Sequence, residues 1–209
     1  MPPRTKTQEE REQERNIIIQ AALNVFAHEG YAGVTMRKVA SECRISATKI
    51  YYYFASKEEL YFCLMKQGFT MALQKMKEAY CEGETAEGRL LQVAQAMFEF
   101  GAENPHYYRL MLSESVPRKA DYQEDSPLYE IAEEAMSCGM EYFDFWKKCV
   151  REMGQECGTE LSKYDYAALF SMVHGAINLM HSRILQEAHV EFRPLCEKVK
   201  EELIEKIMK

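Results

Sequence analysis

The stretch from Thr35 to Leu60 constrains the fold more than any other part of this sequence, because it contains three helix starts close together. Thr35 and Ser46 are N-cap residue types, and each precedes a short run with helical spacing of its apolar residues. Ser56 and Glu59 form the pattern of a capping box, which predicts the start of a third helix. Two short helices joined by a tight turn predict a helix-turn-helix, whose second helix fits the major groove of DNA.

The second of these helices has an apolar side and a polar side. Ile50 and Phe54 lie one turn apart on one face, and most of the other residues from 47 to 53 surround them. Three of these are tyrosines, whose hydroxyl groups often contact phosphates, as lysines do. Thr48 and Lys49 have side chains suited to touching base edges. The pattern therefore predicts a recognition helix.

These residues also carry a resemblance to a known family. In order and at matching spacing, the segment contains Gly30-Tyr31, Thr35, Val39-Ala40, Ile45-Ser46, Ile50-Tyr51-Tyr52-Tyr53-Phe54 and Lys57-Glu58-Glu59-Leu60. Over roughly residues 12 to 65 the chain resembles the DNA-binding domain of the tetracycline-repressor (TetR) family. Arg44 stands where that family usually has Gly in the turn, so we expect a side chain at positive φ there. Residues 48 and 49 also depart from the family pattern, so base preference does not carry over.

The resemblance implies a set of DNA contacts. Arg37 and Lys49 are the expected base readers, and the others are divided between bases and phosphates. The complete expected set is Arg37, Ser46, Ala47, Thr48, Lys49, Tyr51, Tyr52, Tyr53 and Lys57.

Length and charge bound the rest of the chain. At 209 residues it can form one large or two small domains with a substantial core. The net charge is −7, but residues 1 to 60 carry nine Lys or Arg and eight Asp or Glu, a net charge of +1. This charge is small for a DNA-binding segment, and acidic residues are crowded between residues 9 and 14. We therefore expect affinity to depend on placed contacts and on dimerisation more than on bulk charge.

Helical periodicity continues to the end of the sequence. It predicts a first helix from about Thr7 to Gly30, with a frayed tail up to about Glu14 as the alternative for its charged start. It also predicts a connecting helix from Ser56 to about residue 81, and helices near 90–103, 106–112, 127–156, 162–187 and from Pro194. Residues 113–126 are polar and predict a mobile connection. No segment has the pattern of a strand. The predicted fold is all-α, with a helix-turn-helix head at residues 1–60 and a ligand-binding and dimerisation body at residues 82–209.

The last two helices have more apolar surface than one core requires, which predicts a two-fold homodimer with two helices from each subunit at the interface. The resemblance implies the same arrangement. The expected interface residues are Val173, Ala176, Met180, Ile184, Val199, Leu203 and Ile207.

The body also has residues suited to an apolar ligand site between helices, with Tyr, His and Asn groups to orient the ligand. The alternative is that these aromatic and methionine residues simply form the core. The candidate lining residues are Met97, Phe98, Tyr107, Met111, Phe143, Trp146, Phe170, Met172, His174 and Asn178. Gly175 suggests either a pocket wall or a close helix crossing.

Enzyme, metal and membrane functions are not indicated. Sequence motifs of hydrolases, P-loop nucleotide-binding proteins and zinc proteases are missing, and His174 and His181 are too far apart along a helix to bind one ion. No cofactor is expected. Seven cysteines without a C-x-x-C pair favour reduced thiols in a cytoplasmic protein, with redox sensing by Cys43 as an alternative. No apolar run spans a bilayer, and the first residues lack the core of a signal peptide.

The sequence thus predicts a cytoplasmic, TetR-like repressor that binds a palindromic double-stranded DNA operator as a dimer. A small, mostly apolar effector of unknown identity would release it. The alternatives are a helical binding or scaffold protein and a regulator that works without a ligand.

Overall fold

The computed structural model of the chain describes residues 7–80, 85–112 and 116–209. Over these residues the structure contains ten α-helices and no strand, which confirms the all-α prediction. In the same ranges no helix combines the length and the apolar composition that crossing a bilayer requires. The helices are α1 (Gln8–Gly33), α2 (Met36–Glu42), α3 (Ala47–Tyr53), α4 (Lys57–Tyr80), α5 (Ala86–Glu103), α6 (Pro105–Leu112), α7 (Tyr129–Cys157), α8 (Lys163–His181), α9 (Ile184–Glu187) and α10 (Phe192–Ile207).

The helix starts follow the capping residues that the sequence indicated. At α1 the Thr7 hydroxyl accepts a hydrogen bond from the Glu10 amide at 3.1 Å, and the Glu10 carboxylate accepts one from the Thr7 amide at 2.9 Å. At α4 the Ser56 hydroxyl accepts from the Glu59 amide at 3.2 Å. The Glu59 carboxylate reaches back one residue further than a capping box requires, to the amide of Ala55 at 2.6 Å. The caps therefore mark the starts of α1 and α4.

Two compact units divide the chain at residues other than those predicted. The first comprises Met1–Gly68 and His106–Ser137, and the second comprises Phe69–Pro105 and Cys138–Lys209. The predicted head at residues 1–60 lies within the first unit, which also contains α6. Each unit takes part of α4 and part of α7. The predicted domain boundary near residue 82 thus remains an expectation from the sequence.

In the first unit α2 packs against both α1 and α3, and hydrogen bonds join α6 to α1 and α4. The hydroxyl of the buried Tyr61, on α4, donates to the carbonyl oxygen of Leu110 at 2.8 Å. The Gln20 amide, on α1, donates to the Tyr107 hydroxyl at 3.2 Å. A hydrogen bond from each neighbouring helix therefore fixes the position of α6.

In the second unit α5, α8 and α10 pack together. The approach of α5 to α8 is very close at Gly101, because a Cβ there would lie 2.5 Å from Cγ2 of Ile177. Glycine is therefore required at this crossing. Leu203 and Ile207, on α10, are completely buried and complete this core.

Two segments differ from their predictions. The helix predicted for 162–187 ends at His181, and Arg183 has a φ of 65° before the separate helix α9 begins. The buried Leu185 anchors that second segment. The polar connection predicted for 113–126 contains a short 3-10 helix, Lys119–Asp121, and its residues 113–115 lie outside the described ranges.

Candidate nucleic-acid interface and aromatic cluster

The turn between α2 and α3 contains the left-handed backbone conformation that glycine usually adopts, and Arg44 occupies this position. Arg44 has a φ of 56°, in the left-handed region. The Arg44 amide donates to the Ser41 carbonyl and the Ile45 amide to the Ala40 carbonyl, both at 3.0 Å, which closes the turn. On its other side the Ser46 hydroxyl accepts from the Lys49 amide at 3.3 Å and caps α3. The prediction of a positive φ at Arg44 is confirmed.

The faces of α3 separate as the sequence indicated. Ile50 and the following Phe54 are buried, whereas Tyr51 and Tyr52 are 56% and 68% exposed, unusually high values for large aromatic side chains. Of the other residues predicted to contact DNA, Arg37, Ser46 and Thr48 are exposed, and Ala47, Lys49, Tyr53 and Lys57 are partly buried. The structure therefore places two aromatic hydroxyl groups and several polar side chains on one accessible region.

Lys57, the first residue of α4, is held in place by neutral groups. Its ammonium donates to the carbonyl oxygen of Tyr31 at 3.2 Å and lies 4.4 Å from the centre of the Tyr31 ring. The Tyr31 hydroxyl in turn donates to the Glu58 carboxylate at 2.9 Å. Burial, followed by the contact with Glu58, raises the pKa of Tyr31, so this ring stays neutral. The positive charge of Lys57 is thus oriented by a carbonyl and a ring.

Lys49 and Tyr53 have a different partner, a carboxylate that the sequence interpretation did not single out. The Lys49 ammonium lies 3.1 Å from Oε1 of Glu14, and the Tyr53 hydroxyl donates to Oε2 of the same residue at 2.5 Å. Glu14 belongs to α1 and is 35 positions from Lys49. Helical periodicity relates only residues three or four positions apart, so no sequence signal connected this carboxylate with α3.

Cys43 lies next to the turn, and its environment favours the protonated thiol. Burial, and then the neighbouring Glu42 carboxylate, raise the pKa of Cys43. A raised pKa reduces the thiolate fraction, which is the form that reacts with oxidants. The environment of this thiol therefore gives the redox-sensing alternative no support.

An aromatic cluster occupies the second unit, where α7 meets α8. The Phe170 ring lies 4.1 Å from the His174 ring, 4.9 Å from Phe143 and 6.2 Å from Trp146, measured between ring centres. Tyr142, which was absent from the predicted set, also packs here, with its ring 5.9 Å from Phe170. These five rings form what we call the aromatic cluster: Tyr142, Phe143, Trp146, Phe170 and His174.

Three polar groups lie inside the aromatic cluster. The Tyr142 hydroxyl and Nε2 of His174 are 3.3 Å apart and share a hydrogen bond. Burial lowers the pKa of His174 to about 3, which leaves its imidazole neutral at physiological pH. The indole nitrogen of Trp146 is buried without a hydrogen-bond partner among the described residues. Buried donors are normally satisfied, so an acceptor from outside the protein suits this position.

The remaining candidate pocket residues are distributed over both units. Met97 and Phe98 are buried on α5, and Met172 is half-buried on α8, all in the second unit. Tyr107 and Met111 belong to the first unit, where they pack close to Gly68. Asn178 is exposed, and the pocket that we propose below leaves it out. The structure thus brings four of the ten candidates into direct ring contact.

The residues predicted for a dimer interface are mostly inside the subunit. Val173, Ala176, Leu203 and Ile207 are buried within a single chain, because they form the core between α8 and α10. Met180 and Val199 are half-buried, and Ile184 is exposed. The exposed side of α8 and α9 instead carries Tyr164, Gly175, Leu179 and Ile184. A Cβ added at Gly175 would meet no described atom within 4 Å, so the subunit itself does not require glycine at this position.

The first unit contains a helix-turn-helix whose second helix is capped, and the second unit is also helical. This combination is typical of a class of bacterial regulators. The family model described as bacterial regulatory proteins of the tetR family matches residues 18–63. A second model, the tetracyclin repressor-like C-terminal domain, matches residues 90–194, which is half of the chain. The chain belongs to the TetR family of transcriptional regulators.

Individual relatives are distant. The chain is 32% identical over 101 residues to the HTH-type transcriptional regulator YerO of Bacillus subtilis (strain 168), covering 47% of this chain and 35% of that protein. It is 23% identical over 125 residues to the HTH-type transcriptional repressor NicS of Pseudomonas putida, covering 58% of each. The chain therefore spans between about a third and three fifths of these two curated relatives.

Solved structures share the fold across nearly the whole chain. FadR from Bacillus subtilis in complex with stearoyl-CoA has a TM-score of 0.66 at 22% identity, covering 90% of this chain and 97% of that one. A tetR-family regulatory protein from Rhodococcus RHA1 has a TM-score of 0.73 at 19% identity, covering 92% and 96%. At this level of identity the likeness concerns the fold.

Proposed function

We propose that this protein is a DNA-binding repressor that recognises a palindromic operator as a homodimer and leaves it when a small, mostly apolar effector binds. The observation that carries the proposal is the capped helix α3, which exposes Tyr51 and Tyr52 beside the oriented charge of Lys57. A scaffold protein would have no need for this combination. The relative NicS, itself named a repressor, supports the sign of the regulation.

The DNA contacts that we propose divide by chemistry. The hydroxyls of Tyr51 and Tyr52 and the ammonium of Lys57 contact phosphates, since their contacts inside the protein leave these groups able to donate. Arg37 and Thr48 are exposed and reach base edges. Lys49 was expected to read bases, but its ammonium is paired with Glu14, so we do not assign it a base.

The effector site that we propose is the aromatic cluster. Its rings offer an apolar surface, and the Trp146 indole offers a buried donor to a ligand acceptor. His174 is neutral, so its imidazole presents no cation to an acidic headgroup. An apolar molecule with one acceptor, such as a carbonyl or thioester, matches this chemistry. The complex of FadR with stearoyl-CoA makes acyl thioesters the first class to test.

The dimer contact that we propose is the exposed side of α8 and α9. Tyr164, Leu179 and Ile184 are apolar and exposed, and Gly175 between them allows a second helix to approach closely. A two-fold axis along this face would bury the same residues from both copies. Half-sites spaced by about one turn of DNA would then engage both copies of α3.

Selection of binding sequences from a random pool of DNA duplexes tests the proposal. The purified protein should enrich a palindrome, and an acyl thioester should release it, with operator and effector lowering each other's affinity by the same factor. Lys57→Met should weaken every selected sequence alike and make the dependence of log affinity on log salt shallower by about 0.9 for each subunit, or about 1.8 for the dimer. Failure to enrich any sequence would support the scaffold alternative and overturn the proposal.

A further inference from the structure

Glu14 contacts two groups on α3, and the function of this contact follows from its geometry. Glu14 lies on α1, and it binds Lys49 and Tyr53, which are one turn apart on α3. Its side chain is 26% exposed and that of Lys49 is 37% exposed, so this ion pair is only partly accessible to water. A single carboxylate therefore holds both a cation and a hydroxyl that would otherwise suit DNA phosphates.

We propose that Glu14 limits the affinity of this protein for DNA of any sequence, because it withholds Lys49 and Tyr53 from the phosphates. This inference rests on the proposed DNA-binding function and deepens it. Phosphate contacts supply nearly all binding to unrelated DNA, whereas base contacts distinguish the operator. Neutralising one lysine inside the protein weakens binding to every sequence, but it leaves contacts made by Arg37 and Thr48 unchanged. The protein loses affinity for competing DNA and keeps its discrimination between sequences.

Lys57 shows the contrast within the same unit. The carbonyl oxygen and the aromatic ring that orient its ammonium carry no charge, and the neighbouring Glu58 carboxylate attracts it electrostatically. Lys49 has a carboxylate at 3.1 Å, so the pair presents no net charge to DNA. Of the nine basic residues among residues 1 to 60, Lys49 is paired with Glu14 and Lys38 is paired with Glu29.

Salt titration of binding to one fixed duplex tests the inference. The probe is a 24-base-pair duplex with no palindrome, chosen so that the experiment works whether or not an operator has been selected. Log affinity falls with log salt by about 0.9 for each phosphate that the protein neutralises. Glu14→Gln should make this slope steeper by about 0.9 for each bound subunit, or about 1.8 for a dimer, because each Lys49 gains a phosphate. Binding at 0.1 M salt should strengthen about five- to tenfold for each subunit.

The double variant Glu14→Gln, Lys49→Met should return to the wild-type slope. Glu12→Gln is the matched control, since it removes the same charge from an exposed position on the same helix. It should change the slope by much less. Thermal unfolding verifies that each variant is folded, and Glu14→Met replaces Glu14→Gln if the amide does not fold.

Three outcomes would overturn the inference. They are an unchanged slope in Glu14→Gln, a steeper slope that persists without Lys49, and an equal effect of Glu12→Gln. If the wild-type protein bound neither this duplex nor any selected sequence at low salt, the proposed function itself would fail. That result is distinguishable from the other three because it does not depend on residue 14.

Discussion

At the scale of single residues, His174 makes stability depend on pH. Its folded pKa of about 3 lies below the unfolded value of about 6.5, so the unfolded chain binds a proton that the folded chain does not. Above pH 6.5 the imidazole is neutral in both the folded and the unfolded chain, so it lowers stability very little. Stability falls as the pH drops from 6.5 towards 3. We expect a loss of about 2 kcal/mol between pH 7 and pH 4.5 from this residue alone.

Urea unfolding at both pH values measures that loss. In His174→Gln the difference between the two pH values should shrink by about the same amount, because glutamine does not titrate. His189→Gln is the control for the loss of a histidine, since His189 is exposed. Equal pH dependence in the wild type and in His174→Gln would contradict this account.

The backbone at Arg44 is strained, and substitution by glycine would remove this strain. Its φ of 56° is unfavourable for any residue with a Cβ, at a cost of about 1 kcal/mol. Arg44→Gly should therefore raise the free energy of unfolding by about 0.5–1 kcal/mol. Arg44→Ala removes the same guanidinium but keeps the Cβ, so it should give no such gain. Urea midpoints of the two variants provide the comparison.

At the scale of helices, the Ser46 cap determines how well α3 is formed. Ser46→Ala removes the acceptor for the Lys49 amide and should cost about 1 kcal/mol of stability. DNA affinity should fall as well, because Tyr51 and Tyr52 depend on an ordered α3. Ser162→Ala removes the corresponding cap of α8 and should cost similar stability with unchanged affinity for a fixed duplex. A filter-binding or fluorescence-anisotropy titration distinguishes the two variants, and equal affinity losses would contradict the prediction.

The sequence predicted the helices where their ends carry chemical signals. Four helix starts were marked by residues whose hydroxyl groups accept hydrogen bonds from backbone amides: Thr7, Thr35, Ser46 and Ser56. The end of α8 had no such signal, because Arg183 adopts a positive φ without being Gly or Asn, and apolar residues continue on both sides.

Side-chain contacts between distant segments were harder to predict than helices. Periodicity identified the apolar stripe of α8, but it could not show which side faces the subunit's own core. Val173 and Leu203 were therefore assigned to an interface although both are completely buried in one chain. The exposed tyrosines of α3 were predicted because only their own helix was needed to place them. The partnership of Glu14 with Lys49 required the three-dimensional packing of α1 on α3.

At the scale of the whole molecule, the proposed dimer predicts different effects for two similar substitutions. Leu179→Glu introduces a charge on the exposed side of α8 and should convert the dimer to a monomer, because the carboxylate would be buried without a partner. Met140→Glu changes a similarly exposed apolar residue on α7 and should leave the dimer intact. Light scattering at several concentrations measures both, and a monomeric wild-type protein would exclude the dimer.

Gly175 should separate subunit stability from association. Gly175→Ala removes a glycine from the middle of α8 and meets no described atom, so the isolated subunit should gain about 1 kcal/mol. The added methyl group would keep the partner's helix at a distance and weaken the dimer. We therefore expect a higher unfolding midpoint than wild type at low protein concentration, and a smaller difference or the reverse at high concentration.

The fluorescence of Trp146 can report on changes in the protein. The chain contains one tryptophan, so all indole fluorescence arises from a single, completely buried ring in the aromatic cluster. Emission from the folded protein should be characteristic of an apolar environment, and it should shift to longer wavelength on unfolding. An effector that accepts a hydrogen bond from the indole would change this signal directly. Occupancy of the proposed effector site can thus be followed by intrinsic fluorescence without an added dye.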